Sequence, residues 1–239
     1  MSVTPVAIFD LDNTLVRGSS LFHFGWLLVR RRVISPLQVL RYAMAEFVYV
    51  RNCTEREGLP GLLAERLLGL VKGFSQEELL VHARVFAATV LRRHLIADVV
   101  DQVEAFRKLG IPCYIATASP QELALAIAEE LGMNGAIGTI SHVFEGRYTG
   151  SLASPIAHGE EKARRVNQLF DSKGYDRKAS WAFSDSINDL PLLVLVAHPV
   201  VVNADKHLRQ IADLNGWVVL TSAKRVSRVL DAEEVQPSV

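Results

Sequence analysis

Cysteine is scarce: Cys53 and Cys113 are the only two in 239 residues. They lie far apart with no C-x-x-C and no histidine at zinc spacing, so neither a disulfide framework nor a structural zinc site organises the chain. Net charge is missing as well. Lys plus Arg and Asp plus Glu each number 26, so no global field draws the chain to nucleic acid or to an anionic membrane, and any anion site has to be local. No stretch reaches the ~18 to 20 uninterrupted apolar residues that a membrane span needs. The nearest, Phe22 to Val29, runs into Arg30-Arg31-Arg32 and reads as a helix with a solvated basic end. The opening Met1-Ser2-Val3-Thr4-Pro5 carries no basic region ahead of an apolar core, so export is not expected and a reducing cytoplasm is the expected compartment. Internal repeats and low-complexity tracts are absent too. What is present, 49% hydrophobic and 22% charged residues, suits a globular protein with a sizeable core.

The rest is organised around Phe9-Asp10-Leu11-Asp12-Asn13-Thr14-Leu15, which follows the apolar run Val6-Ala7-Ile8. Two carboxylates at the mouth of a buried strand are costly unless a cation, a hydrogen-bond network or a substrate compensates them, and a metal is the first expectation. If the strand continued, Asp10 and Asp12 would share one face, at the carboxyl end of the sheet where α/β proteins keep their sites. A plain strand running into an Asp/Asn turn is the alternative for this segment alone.

From about Arg17 to Arg93 the pattern is helical. Ser19 or Ser20 caps a helix through Arg32, Ser35-Pro36 opens a second, Leu59 to Val71 forms a third, and Ser75-Gln76-Glu77-Glu78 opens a fourth that continues past Val90. This predicts an all-helical unit at residues 17–96, inserted into a core formed by 1–16 and 97–239. Beyond Ala97 strand and helix alternate. A helix over Val99 to Leu109 leads to a strand over Ile111 to Ala116, ended by Thr117-Ala118-Ser119-Pro120. A hairpin turns about Gly146, a basic helix starts at Glu160, and further strands lie within Ala179 to Phe183, Pro199 to Val202 and Trp217 to Leu220. The fold class is α/β, a doubly wound, mainly parallel sheet with a helical insertion.

Further polar clusters fall where strands end or helices begin: Thr117, Lys162 in Gly159-Glu160-Glu161-Lys162, and Ser184-Asp185-Ser186-Ile187-Asn188-Asp189. Singly, each could be a helix cap or a solvated helix end. Jointly and in this order they resemble the four motifs of the haloacid dehalogenase superfamily, in its phosphoserine-phosphatase-like branch with a helical cap. The first motif is Asp10 to Leu15, the second Thr117, the third Lys162 and the fourth Asp185 to Asp189. The insertion after the first motif sits where that branch carries its cap.

The resemblance implies a magnesium-dependent phosphomonoester phosphatase. Asp10 would be the nucleophile that forms an aspartyl-phosphate, and Asp12 the acid for the leaving alcohol and then the base for water. Magnesium would be held by the carboxylates of Asp10 and Asp185 and the main-chain carbonyl of Asp12, an all-oxygen set suited to a hard cation, with Asp189 orienting Lys162 or a metal-bound water. Thr117 and Lys162 would bind the phosphoryl group, and Asn188 and Ser119 are further candidates beside it. Dehalogenating members usually lack the second aspartate, so Asp12 points to phosphoryl chemistry. A mutase and a noncatalytic regulator that binds a phosphorylated ligand are the alternatives.

The implied partner is a small phosphomonoester. In phosphoserine phosphatases a glutamate about nine residues beyond the nucleophile holds the substrate's amino group, and Ser19 stands there in this chain. That directs the expectation towards other phosphomonoesters, amino-alcohol phosphates first, with phosphoserine and lipid phosphates as alternatives. Arg41, Glu46, Arg51 and Arg56 in the insertion are candidates for selecting it.

Overall fold

A computed structural model describes residues 4–37, 69, 71–204 and 206–222. Pro36 and Leu37 are helical, as expected of the start of the second insertion helix. The rest of that helix, most of the third, the selecting residues Arg41, Glu46, Arg51 and Arg56, and the C-terminal tail lie outside the described residues.

The apolar run of the first motif forms β1 (Ala7–Phe9), every residue of it buried. It pairs in parallel with β2 (Cys113–Pro120) on one side and β6 (Trp181–Ser184) on the other. With β3 (Gly135–Thr139), β7 (His198–Val202) and β8 (Val218–Leu220) they make a six-stranded sheet in the order β3-β2-β1-β6-β7-β8. Every pairing in it is parallel, and covering both faces explains why the central strands are apolar throughout rather than alternating. On one face Phe9, Phe106, Trp181 and Phe183 pack together; on the other Ile8, Ala182 and Val201 meet Val166 and Phe170.

The helices are α1 (Ser20–Arg30), α2 (Gln76–Thr89), α3 (Ala97–Lys108), α4 (Gln121–Glu130), α5 (Gly159–Lys173), α6 (Leu190–Leu193) and α7 (Lys206–Asn215). Two begin on serine caps: Ser19 Oγ accepts from Phe22 N at 3.3 Å and Ser75 Oγ from Glu78 N at 3.4 Å. No helix among the described residues is long and apolar enough to cross a membrane. Helix α2 stops before Val90, and the chain tightens into a 3-10 turn at Leu91–Arg93.

The two crossings between the core and the insertion run side by side. Arg17 N donates to His94 O at 2.7 Å and Ile96 N to Leu15 O at 2.9 Å. Phe24 and Leu28 of α1 and Leu79, Ala83 and Phe86 of α2 belong to the same apolar cluster as Phe9 and Phe106. Polar bonds also join α2 to α4, among them Gln76 Nε2 to Glu122 Oε1 at 2.9 Å. The described insertion helices are thus packed on the core rather than around a centre of their own.

The hairpin β4 (Ser141–Phe144) to β5 (Arg147–Leu152) turns through Glu145 and Gly146, at φ 48 and 74. Positive φ at both central residues is the twist-matched two-residue turn. Strand β2 runs four residues further than the apolar pattern reached, because Pro120 still pairs with Thr139 after a register shift beyond Ala116. Thr117 sits in that irregular stretch, at the C-terminal edge of the sheet.

Candidate active site

Asp10 follows β1 directly and its backbone is held there, the N–H donating to the Phe183 carbonyl at 2.9 Å. Its carboxylate is therefore delivered to the C-terminal edge of the sheet with 6% exposure. Lys162, in the first turn of α5, donates from Nζ to Asp10 Oδ1 at 2.8 Å and to Asp189 Oδ2 at 2.7 Å. Ser184 Oγ donates to the same Asp189 oxygen at 2.7 Å. The remaining Asp10 oxygen, Oδ2, accepts from Thr14 Oγ1 at 3.1 Å. Thr14 in turn accepts from Asp185 N at 3.1 Å and lies 3.4 Å from Asp185 Oδ1. Its one proton serves one carboxylate at a time, so Thr14 ties the loop after β1 to the loop after β6.

One buried ammonium thus faces the carboxylates of Asp10, Asp189 and Asp185, and the imbalance shows in the titration of Asp10 and Asp185. Burial pushes Asp10 up to about 7, with Lys162 opposing and Asp189 and Asp185 adding to the rise. Burial likewise lifts Asp185 to about 6. Lys162 moves upward too: burial works against its charge, but the Asp10 and Asp189 carboxylates outweigh it. Charge shared so unevenly in a dry site stabilises the fold poorly and suits a site awaiting positive charge.

The donors fit the cation that the resemblance implies. Asp10 and Asp185 offer carboxylate oxygens linked through Thr14, the hard, all-oxygen chemistry that magnesium takes. Among the described residues no three His, Cys, Asp or Glu side chains are grouped to hold a metal. Asp189 has its Oδ2 engaged by Lys162 and Ser184.

Asp12 does not reach this cluster by strand alternation. The strand ends at Phe9, and Asn13 at φ 58 helps turn the chain so that Leu15 N and Val16 N both return to the Leu11 carbonyl at 2.9 Å. Half-buried Asp12 instead accepts at Oδ1 from Ser20 N, 2.8 Å away at the start of α1. Thr117, buried at 2% exposure, accepts at Oγ1 from Ser119 N at 3.1 Å, which leaves its own hydroxyl proton to donate. Ser119 Oγ lies 3.0 Å from Ser20 Oγ.

Ser19 is exposed and spends its hydroxyl capping α1. Asn188 is exposed on a cleft of ≈ 660 Å³ that it lines with Asn13, Arg17, Asp185 and Asn203. The structure therefore joins Asp10, Lys162, Asp185 and Asp189 into one bonded group, sets Asn188 beside Asp185, and places Ser19 at a helix end. No part in the chemistry was expected of Thr14, Ser20 or Ser184. Thr14 stood inside the first motif and Ser184 next to Asp185, whereas Ser20 carried no signal beyond that of a helix cap.

Residues 7–194 match the family model described as haloacid dehalogenase-like hydrolase. The phosphoserine phosphatase SerB1 of Mycobacterium tuberculosis is 33% identical over 233 residues, covering 96% of this chain and 75% of the relative. A histidinol-phosphatase of Neisseria meningitidis is 29% identical over 220 residues, covering 90% of this chain and 97% of the relative. A crystal structure of a Bordetella pertussis protein of unknown function superposes with a TM-score of 0.79 at 30% identity, covering 92% of this chain and 99% of that one.

Proposed function

The chain belongs to the haloacid dehalogenase-like hydrolase family and is an enzyme of its phosphoserine-phosphatase-like branch, and from that premise we propose that it is a magnesium-dependent phosphatase of small phosphomonoesters working through an aspartyl-phosphate. The observation that carries the reading is the buried Lys162, bonded at once to Asp10 and Asp189 at the end of the central strand. A fold gains little from such a buried charge cluster over apolar residues of the same volume. A phosphate dianion approaching a carboxylate needs it.

In this reading an Asp10 oxygen attacks phosphorus as the bond to the leaving oxygen breaks. Asp12 gives its proton to the departing alcoholate, so that an alcohol leaves and the phosphoryl group stays on Asp10. Asp12, now a carboxylate, takes a proton from the water that attacks the acyl phosphate, and inorganic phosphate and the Asp10 carboxylate are regenerated. Lys162, with two of its three N–H groups on Asp10 and Asp189, has the third for a phosphoryl oxygen, and Thr117 adds its hydroxyl. Asp10, Asp185 and the Asp12 carbonyl would hold magnesium, which when bound would supply positive charge against the phosphoryl oxygens. Residues 17–96 act as the cap that closes over the phosphate, while 1–16 and 97–239 form the catalytic core.

Amino-alcohol phosphates come first among the candidate substrates. A relative is named histidinol-phosphatase, and Ser19, where a phosphoserine phosphatase has its amino-binding glutamate, offers only a capping hydroxyl. The test is hydrolysis of an aryl phosphate and of a panel of alkyl, amino-alcohol and amino-acid phosphates, with magnesium and with EDTA. Turnover that needs the metal is expected, and undiminished turnover in metal-stripped protein would refute the mechanism. Phosphoserine as the best substrate would overturn the substrate order.

A further inference from the structure

We infer that Ser20 and Ser119 form a buried hydroxyl clasp that positions Asp12 for proton transfer; the inference rests on the reading of Asp12 as general acid and base. The two serines are 99 residues apart in the chain and their hydroxyl oxygens lie 3.0 Å apart. They are 0% and 4% exposed. A pair of hydroxyls in so dry a place contributes less to packing than two small apolar side chains would, and it persists only because each satisfies the other.

What the pair holds in place is the start of α1. Ser20 is the first residue of that helix, and its N–H is one of those with no partner inside the helix. It donates to Asp12 Oδ1 at 2.8 Å. Among the described residues Asp12 Oδ2 has no hydrogen-bond partner, so one oxygen is anchored and the other is left to carry the proton. Ser119 is itself fixed, its N–H on Thr117 Oγ1 at 3.1 Å and its carbonyl so close to Gly138 that a side-chain carbon there would come within 2.8 Å. The chain of contacts therefore runs from the buried Thr117 through Ser119 and Ser20 to Asp12. It links core strand β2 to the first helix of the insertion, so the seating of that helix sets the aim of the acid. The Ser119 hydroxyl is a positioning group here rather than a phosphate ligand.

Losing one hydrogen bond that acts only through Asp12 should be felt where protonation of the leaving group matters. Ser20→Ala and Ser119→Ala should each lower kcat on an alkyl phosphate about tenfold, leave KM nearly unchanged, and change turnover of p-nitrophenyl phosphate by less than about twofold. The double variant should lose no more than either single one, because both remove the same bond. Ser119→Thr, which keeps a hydroxyl, should restore the alkyl rate. Independently of activity, amide hydrogen exchange at Ser20 should quicken in Ser119→Ala. Equal losses on both esters, a rise in KM alone, additive losses or an unaltered Ser20 exchange rate would overturn the clasp. A wild-type protein inert towards both esters would overturn the phosphatase reading and with it the acid role, the exchange rate then deciding whether the clasp exists.

Discussion

Replacing Lys162 by methionine tests the electrostatics of the site without needing a substrate. The ammonium side chain is 4% exposed, and its partners Asp10 and Asp189 are 8% and 2% exposed at their side chains. Methionine keeps most of the stem's volume, so the cavity contribution is small and the loss is electrostatic. Removing one partner of a buried ion pair costs about 3–5 kcal/mol, because the charge left behind has lost both its water and its counterion. In a protein of this size each kcal/mol moves Tm by about 2–4 °C, so a fall of roughly 6 to 20 °C is expected at pH 7 without metal. Asp189→Asn is the control. It leaves Lys162 on Asp10 and keeps an oxygen for Ser184, so its cost is that of one weakened charged hydrogen bond, about 1–3 kcal/mol. Scanning calorimetry and urea unfolding of both variants give the order. A Lys162→Met protein as stable as the wild type, or more stable than Asp189→Asn, would refute the claim that this ammonium holds the carboxylates together.

Asp12→Asn should slow turnover about 10²- to 10⁴-fold on esters of poorly leaving alcohols and far less on an aryl phosphate. A uniform loss across the series would remove its acid role. Away from the site, the paired guanidinium of Arg164, with that of Arg165, holds the Glu161 carboxyl at about 2 against an ordinary 4.5. A carboxyl depressed in the folded state contributes stability above its unfolded value and loses it as pH falls towards the folded one. The stability difference between wild type and Glu161→Gln should therefore narrow from pH 6 to pH 3. Arg164 is largely exposed, so solvent screening keeps that difference small. A pH-independent difference would show that the pair contributes no linkage.

Much of this was legible in sequence because local chemistry forces it. An apolar triplet ending in aspartate has to be a covered strand with its charge at the edge, and Ser75 before Gln76-Glu77-Glu78 has to start a helix. The hairpin at Gly146 and five of the six parallel strands were readable for the same reason. Strand β3, the glycine-containing run Gly135–Thr139, was missed because it lacks a sustained apolar pattern. Contacts between distant segments were not. Nothing in Asp12 or in Ser20 says that a turn at Asn13 brings the two within a hydrogen bond, and alternation along an extended strand would have sent Asp12 elsewhere. The end of β2 was hidden because Pro120 rejoins the ladder only through a register shift against β3. Likewise Thr14 was visible as part of a motif, but its place between Asp10 and Asp185 depends on β1 and β6 being neighbours. The sharing of one apolar cluster by α1, α2 and the sheet is also a matter of tertiary packing, which periodicity within a helix does not encode.

The central claim is that Asp10 is the atom donor that captures the phosphoryl group. Protein mixed with magnesium and a fast-reacting aryl phosphate, quenched in acid within the first turnover and digested, should yield the peptide containing Asp10 with one added phosphoryl group, labile to hydroxylamine. The Asp10→Asn protein, folded but inactive, should yield none. A phosphorylated peptide elsewhere in the chain, or rapid turnover with no acyl phosphate at Asp10 and undiminished activity in Asp10→Asn, would contradict the account.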